Sequence, residues 1–307
     1  MTVKAIRFHQ YGDAAVLRAE EIDQPLPGTG EVLLRVAGTS FNPIDATIRA
    51  GYVQEVFPVR LPHTPGIDVA GTVQALGEGV TRFRVGDEVV GFLPMTADGA
   101  AAEYVIAPVD VLASAPTAIP LADAAALPSG GLTAWQALFE HADVQAGQRI
   151  LVHGAGGAVG GYAVQLAVRA GVKVVATAGP RNADRVRGYG ADVVGRGTDG
   201  VTGEFDTVLN FAPVSPADMV TLAGFARAKG VLVTTTTPGP EADPRGVRST
   251  SVFVRSDAEQ LARLVSQVNA GTLHVHVAER VALADLPEVH ARHDAGTLPG
   301  KTIAVPR

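Results

Sequence analysis

One stretch constrains the fold of this chain more than any other. It reads Arg-Ile-Leu-Val-His-Gly-Ala-Gly-Gly-Ala-Val-Gly-Gly at 149–161 and runs into Tyr-Ala-Val-Gln-Leu-Ala-Val-Arg-Ala-Gly at 162–171. A short apolar run bounded by glycines, followed by apolar residues at helical spacing (Val159, Ala163, Leu166, Ala167, Ala170), predicts a buried strand, a tight turn and a helix. N–H groups freed at a helix start point outward, the helix dipole favours negative charge there, and glycines let a pyrophosphate approach the main chain. The spacing Gly154-x-x-Gly157-x-x-Gly160 is a variant of the dinucleotide-binding fingerprint, not the strict G-x-G-x-x-G form. Glycine-rich turns are common in a chain with 35 glycines, so the reading depends on what surrounds the turn.

A length of 307 residues favours two domains over one core. Hydrophobic residues make up 47% of the chain and charged residues 18%, the balance of an ordinary globular protein rather than a disordered one. The formal net charge of −6 removes the electrostatic attraction that most nucleic-acid binders use, so no nucleic-acid partner is expected. Cysteine is absent, which rules out disulfides, thiolate metal sites and a cysteine nucleophile. The alternating Thr-Val-Lys-Ala-Ile-Arg-Phe at 2–8 reads as a first strand rather than a signal peptide. No apolar run approaches the ~20 residues of a membrane span. The default expectation is a cytoplasmic enzyme or binding protein with no membrane partner.

From Met1 to about Ala113 short strands end in Pro, Gly or Asp, as at 31–37, 69–75, 87–92 and 102–107, which suggests a compact β-barrel or sandwich. Between them, residues 41–51 contain an Asn42-Pro43 turn and a possible short helix. The texture changes near Pro116. Residues 121–127 and 132–138 read as helices separated by Pro-Ser-Gly-Gly at 128–131. Strands at 173–177, 205–210 and 230–235, each preceded by a helix-like segment, predict a parallel sheet covered on both faces. The last fifty residues read as a helix near 258–270, an alternating Leu-His-Val-His-Val at 273–277, a helix near 286–295 and a final strand at 301–305.

An NAD-binding turn places an Asp or Glu on the adenosine ribose about 20 residues past the glycines. Here that place falls in Val-Ala-Thr-Ala-Gly-Pro-Arg-Asn at 175–182, which holds no acid. Hydroxyl and guanidinium donors welcome a 2′-phosphate that a carboxylate would repel, so Thr177 and Arg181 favour NADP(H). The bland alternative makes Arg181 a solvated helix-start residue. His290 and His293, and likewise His274 and His276, lack an acidic or cysteine companion at ligand spacing and read as solvent-exposed histidines, not metal ligands. His153 reads as a packed histidine bonded to backbone. Gly300-Lys301-Thr302 fails as a phosphate-binding P-loop, because the required earlier glycine is Ala295 and a strand follows where a helix is needed. No serine lies in a G-x-S-x-G elbow. Asp45, Asp68 and Asp87 taken singly are turn or structural residues.

Taken together these pieces make the whole chain resemble the medium-chain dehydrogenase/reductase superfamily and, within it, the zinc-free quinone oxidoreductases of the zeta-crystallin type. The resemblance is carried by Phe-Asn-Pro-Ile-Asp at 41–45 with Arg-Ala-Gly at 49–51, Pro-Gly-Ile-Asp-Val-Ala-Gly at 65–71, Gly-Asp-Glu-Val-Val-Gly at 86–91, Gly-Ala-Ala-Ala-Glu-Tyr at 99–104, Gly-Leu-Thr-Ala at 131–134, residues 153–160 and Gly300-Lys301. It implies an α/β architecture: a GroES-like β-barrel catalytic domain formed by 1–115 and 271–307, a doubly wound parallel-sheet Rossmann domain at 116–270 that binds NADP(H), and a substrate cleft where the two meet. Zinc-dependent relatives hold their metal with a Cys near position 42 and a His in a Pro-Gly-His-Glu motif. Asn42 and Ile67 stand at those places, with Asp68 for the Glu, so no metal is expected.

The resemblance also assigns residues. Asn42 and Thr133 contact the nicotinamide side, with Asn42 the catalytic candidate. Gly154, Gly157, Val159 and Gly160 form the pyrophosphate turn, and Thr177, Arg181, Phe211, Thr235, Phe253 and Val254 line the groove. Two places depart from the pattern. Thr47 replaces a tyrosine that many bacterial relatives carry, which touches the quinone preference, and Arg196-Gly197 replaces a tyrosine near the adenosine phosphate, leaving Arg196 as an extra phosphate contact. The expected activity is NADPH-dependent hydride transfer to a quinone or an electron-poor enone, the oxyanion met by backbone N–H and the Asn42 amide and the proton drawn from solvent. A dedicated enoyl-thioester or enone reductase of secondary metabolism, and a low-turnover crystallin-like NADPH-binding protein, are the rival readings. A homodimer is the assembly the family implies.

Overall fold

The computed structural model describes residues 1–306 and divides into two compact units, Met1–Ser129 with Ser256–Arg307 and Gly130–Arg255. In the first unit, β1 (Thr2–Arg7) pairs antiparallel with β2 (Arg18–Asp23). Then come β3 (Glu31–Ser40), α1 (Pro43–Ala50), β4 (Asp68–Leu76), β5 (Glu88–Phe92), β6 (Tyr104–Pro108), β7 (Leu112–Ser114) and α2 (Leu121–Ala124), and the chain leaves the unit within the first turn of α3 (Pro128–Gln136). Val32, Leu34, Val69, Val73, Val89 and Leu112 form the core of its sheet. Burying that much branched apolar surface is what holds strands of such mixed length together.

The second unit is built as strand, helix, strand. Its elements are β8 (Arg149–His153), α4 (Ala158–Arg169), β9 (Lys173–Ala176), α5 (Pro180–Gly188), β10 (Asp192–Val193), β11 (Phe205–Asn210), α6 (Pro216–Gly224), β12 (Ala226–Thr234) and β13 (Arg248–Ser251). All pairings are parallel, in the order β10-β9-β8-β11-β12-β13. That is the doubly wound order with the first strand at the centre. Ile150, Leu151 and Val152 are fully buried, as an unbroken apolar strand covered on both faces must be.

The chain then returns to the first unit with α7 (Ala258–Asn269), β14 (Glu279–Ala282), α8 (Leu286–Asp294) and β15 (Thr302–Val305). The larger sheet runs β14-β15-β3-β4-β5-β7, with β6 also on β3. One edge of β3 faces β4; the other is shared by β6 along 31–35 and by β15 at 39 and 40. The expected α/β class and the parallel sheet are both present.

Several expectations are corrected. The chain divides near 129 and 255 rather than 115 and 270, because the flanking segments are tied to the first unit. The Thr117 and Ala118 N–H groups donate to Asn269 Oδ1 (2.8 and 3.3 Å), Arg280 pairs with Asp123, and Ser256 Oγ donates to the Phe92 carbonyl at 2.6 Å. Pro-Ser-Gly-Gly at 128–131 is no turn but the start of α3. Its Ser129 N–H is capped at 2.8 Å by the carboxylate of Asp68, 61 residues away, a partner that local sequence cannot reveal. The alternating 273–277 segment is not a strand; pairing with β15 begins only at Glu279. Among the described residues no helix is long and apolar enough to cross a membrane.

Candidate active site

The first unit carries an unusual concentration of buried polar groups. Ser40, the last residue of β3, is in register with Asp68 on β4 and with Ile303 on β15, so the starts of β4 and β15 meet the end of β3. Asn42, the N-cap of α1, follows two residues later. Around this junction Asp68 Oδ2 accepts from Ser40 Oγ (2.7 Å), Ser129 Oγ (2.7 Å) and Asn42 Nδ2 (2.9 Å), and lies 3.4 Å from Lys301 Nζ. Lys301 Nζ donates to Asn42 Oδ1 at 2.7 Å and to the Phe41 carbonyl at 3.4 Å. Asp68 is fully buried, and Asn42 and Lys301 are each 9% exposed. A carboxylate and an ammonium withdrawn from water this far survive only because nearly every lone pair and proton has a partner.

Asp45 lies beside the cluster and accepts from the Asn42 N–H (2.8 Å) and the Gly66 N–H (3.1 Å). Burial, aided by the nearby Asp68 charge, pushes its pKa up to about 6 against the pull of those backbone bonds. Burial likewise pulls Lys301 below the ordinary lysine range, opposed by the attraction of Asp68 and Asp45.

In the second unit the register aligns His153, Asn210, Thr234 and Ser251 at the carboxyl ends of four adjacent strands. Ligands of open parallel sheets bind at this edge. Gly154 sits at φ +82°, and a Cβ on Gly160 would meet the Gly154 carbonyl oxygen at 2.4 Å and Ala155 Cα at 2.7 Å. Only glycine lets α4 start this close to the strand end. Gly157, the N-cap of α4, has no side chain to occupy the first N–H groups, so these stay available to an anion. Arg185 Nη2 fastens the turn from outside, donating to the Gly156 carbonyl (2.8 Å) and to Asn182 Oδ1 (2.9 Å). The residues present therefore fit a dinucleotide pyrophosphate.

The structure brings Gly154, Gly157, Val159, Gly160 and Thr177 together at this turn. Phe211 follows β11, with its N–H on the His153 carbonyl, and Thr235 follows β12, with its N–H on the Asn210 carbonyl. Phe253 and Val254 follow β13, Phe253 being 67% exposed. Thr133 lies buried in α3. Arg181 is exposed in the first turn of α5, and the Arg196 chain passes 3.8 Å from where a Cβ on Gly179 would stand. Thr177 departs from its expected role. It is 1% exposed, its hydroxyl 2.9 Å from His153 Nδ1 and accepting the Gly154 N–H at 3.2 Å, so it braces the turn from inside. His153 bonds this side chain rather than backbone, and burial lowers its pKa.

His290 is also corrected: it is buried, not solvent-exposed. Its Nδ1 lies 3.1 Å from Arg49 Nη1, and its ring meets Phe41 edge-on at 4.8 Å. The buried Arg49 guanidinium requires such partners and also pairs with Asp294 at 2.7 Å. Burial and the Arg49 charge hold His290 down at about 3. Among the described residues no three His, Cys, Asp or Glu side chains are grouped to hold a metal. The catalytic-zinc positions do not fit one, since Ile67 offers no donor and the Asn42 carbonyl oxygen already faces an ammonium. Sequence reasoning missed Ser40, Asp68, Ser129 and Lys301 as one cluster and Asn210 as an organiser, its amide bonding the Ala212 carbonyl (3.0 Å) and Thr236 (3.2 Å). The available signal was an acid and a lysine embedded in otherwise apolar strand starts.

Comparison with known proteins gives the family. The alcohol dehydrogenase GroES-like domain matches residues 28–117 and the zinc-binding dehydrogenase family matches 182–303. A chloroplastic quinone oxidoreductase of Triphysaria versicolor is 31% identical over 327 residues, covering 99% of this chain and 98% of that protein. A chloroplastic quinone-oxidoreductase homologue of Spinacia oleracea is 41% identical over 196 residues, 62% of this chain and 60% of that protein. The structure of the quinone oxidoreductase from Coxiella burnetii superposes with a TM-score of 0.90 at 27% identity over the whole of both chains. An N-terminal GroES-like unit, a doubly wound sheet and this full-length likeness together show that the chain belongs to the medium-chain dehydrogenase/reductase family, among its quinone oxidoreductases.

Proposed function

We propose that this chain is an NADPH-dependent reductase that transfers hydride to quinones or electron-poor enones without a metal. The observation that carries the reading is the glycine-built, uncapped helix start at the carboxyl edge of the parallel sheet, where backbone N–H groups and the helix dipole would hold a dinucleotide pyrophosphate. The quinone oxidoreductases among the relatives support the substrate class.

The first turn of α4 and Gly154, Gly157, Val159 and Gly160 would hold the pyrophosphate. Arg181, with Arg196, would meet the 2′-phosphate, and no acid in 175–182 would repel it. Asn42, Thr133, Phe211, Thr235, Phe253 and Val254 would face the nicotinamide end. NADPH supplies the hydride when bound. The Asn42 amide meets the oxygen on which negative charge develops, and solvent delivers the proton, so orientation and local dipoles carry the catalysis rather than a strong acid. A homodimer is the proposed assembly; β13, as an end strand, leaves an edge on which a second copy could pair.

The test is a steady-state panel of NADPH oxidation against quinones, enones and enoyl thioesters. Turnover on quinones or simple enones supports the proposal. Turnover on thioesters alone would transfer the chain to the enoyl-thioester reductases. Tight NADPH binding with no turnover on any member would make it a crystallin-like binding protein.

A further inference from the structure

As an oxyanion donor, Asn42 depends on which end of its amide points where. The structure settles that orientation by chemistry. On one side stands Lys301 Nζ, 2.7 Å from Asn42 Oδ1, with Ser129 Oγ at 3.1 Å. On the other, Asp68 Oδ2 lies 2.9 Å from Asn42 Nδ2. An ammonium can only donate and a carboxylate can only accept. A flipped amide would set N–H against N–H⁺ and oxygen against oxygen, so one orientation is allowed.

The same arrangement does more than choose a rotamer. Lys301 spends its three N–H bonds on Asn42 Oδ1, the Phe41 carbonyl and Asp68, as the protonated amine requires. A positive group on the oxygen and a negative group at the nitrogen draw the amide toward its charge-separated form, in which the N–H is a stronger donor. Of the two Nδ2 hydrogens, Asp68 takes one. The other has only long contacts, at 3.3 Å to the Ser40 carbonyl and 3.4 Å to Ser40 Oγ. It is the hydrogen least committed within the network.

We infer that Lys301 is a positioning residue, an ammonium that orients and polarises the Asn42 amide so that its second N–H serves as the oxyanion donor. The inference rests on the hydride-transfer reading. Its test compares wild type, K301R, K301M, K301Q, N42A and N42A/K301M, with NADPH oxidation by 1,4-naphthoquinone and by a simple enone as activity readouts. NADPH affinity is read by nucleotide fluorescence, folding by circular dichroism, and the Asn42 side-chain amide by ¹⁵N NMR.

K301M should lower kcat about tenfold, with KM and NADPH affinity within about twofold, a loss smaller than that of removing an oxyanion donor outright. K301R should recover most of it, and K301M should add nothing in the N42A background. An unchanged kcat in K301M, or a loss that persists undiminished when Asn42 is already alanine, would overturn the inference. Should K301M fail to fold, K301Q keeps an N–H donor for Asn42 Oδ1 but removes the positive charge; a drop in kcat of about threefold or more supports the inference and an unchanged kcat defeats it. Should wild type reduce no member of the panel, the hydride-transfer reading alone falls, and the NMR signals decide on Lys301. Slowly exchanging Asn42 Nδ2 protons in wild type that become fast in K301M support positioning, and Asn42 Nδ2 signals identical in wild type and K301M refute it.

Discussion

The two units solve opposite electrostatic problems with opposite materials. In the second unit, Gly154, Gly157 and Gly160 clear side chains away so that bare backbone dipoles face outward, ready for a ligand's charge. In the first, Asp68, Lys301, Asn42, Ser40 and Ser129 pull charge inward and satisfy it among themselves. A backbone site tolerates no added atoms, whereas a side-chain network tolerates no missing ones. The units should therefore fail to different kinds of substitution.

The largest effect should follow removal of one member of the buried pair. Asp68→Ala strands the Lys301 ammonium and uncaps α3, and is expected to cost about 3–5 kcal/mol of folding stability by chemical denaturation; a loss below about 1 kcal/mol would break the contrast between the units. Next comes acid sensitivity of the first unit. His290, held at about 3 when folded, contributes stability that is complete above its unfolded value near 6.5 and is lost as pH falls toward 3, at up to about 1.4 kcal/mol per pH unit. Asp45, raised to about 6, works in reverse: its contribution is present below about 3.8 and is lost as pH rises through 6. The two oppose each other between about pH 4 and 6. Denaturation of His290→Gln across this range should expose the Asp45 trend, with stability rising on acidification relative to wild type.

In the second unit, Gly160→Ala places a methyl 2.4 Å from a backbone oxygen. It should cost about 1–3 kcal/mol and weaken NADPH binding in a fluorescence titration, while Gly188→Ala, with open space around it, serves as the harmless control. The smallest expected effect belongs to Arg181. Its replacement by alanine should lower the preference for NADPH over NADH by roughly tenfold, about 1.4 kcal/mol, without touching stability. Equal affinity for both nucleotides in wild type would refute the NADP assignment.

The glycine turn was legible because its information is local: strand, glycines and helix follow one another within 149–171. The parallel sheet was legible for a similar reason, since apolar β-branched runs alternate with helical periods. The network was not. Asp68 and Lys301 are 233 residues apart; alone, the first reads as a turn or structural residue and the second as the start of the last strand. Thr177 reads as an exposed phosphate donor by its place in the chain, yet pairing with His153 turned it inside. The helical spacing of His290 and His293 says nothing about Arg49 buried against one of them.

The sequence alone determined where backbone must be bare and which residues alternate with sheet and helix periods, because steric freedom at glycine and apolar periodicity act over a few residues. Only the tertiary structure decided which polar groups share a dry interior. There β3 carries β4 on one side and β15 on the other, so that an acid and a lysine from distant strands become partners and the orientation of one asparagine amide is set by their charges.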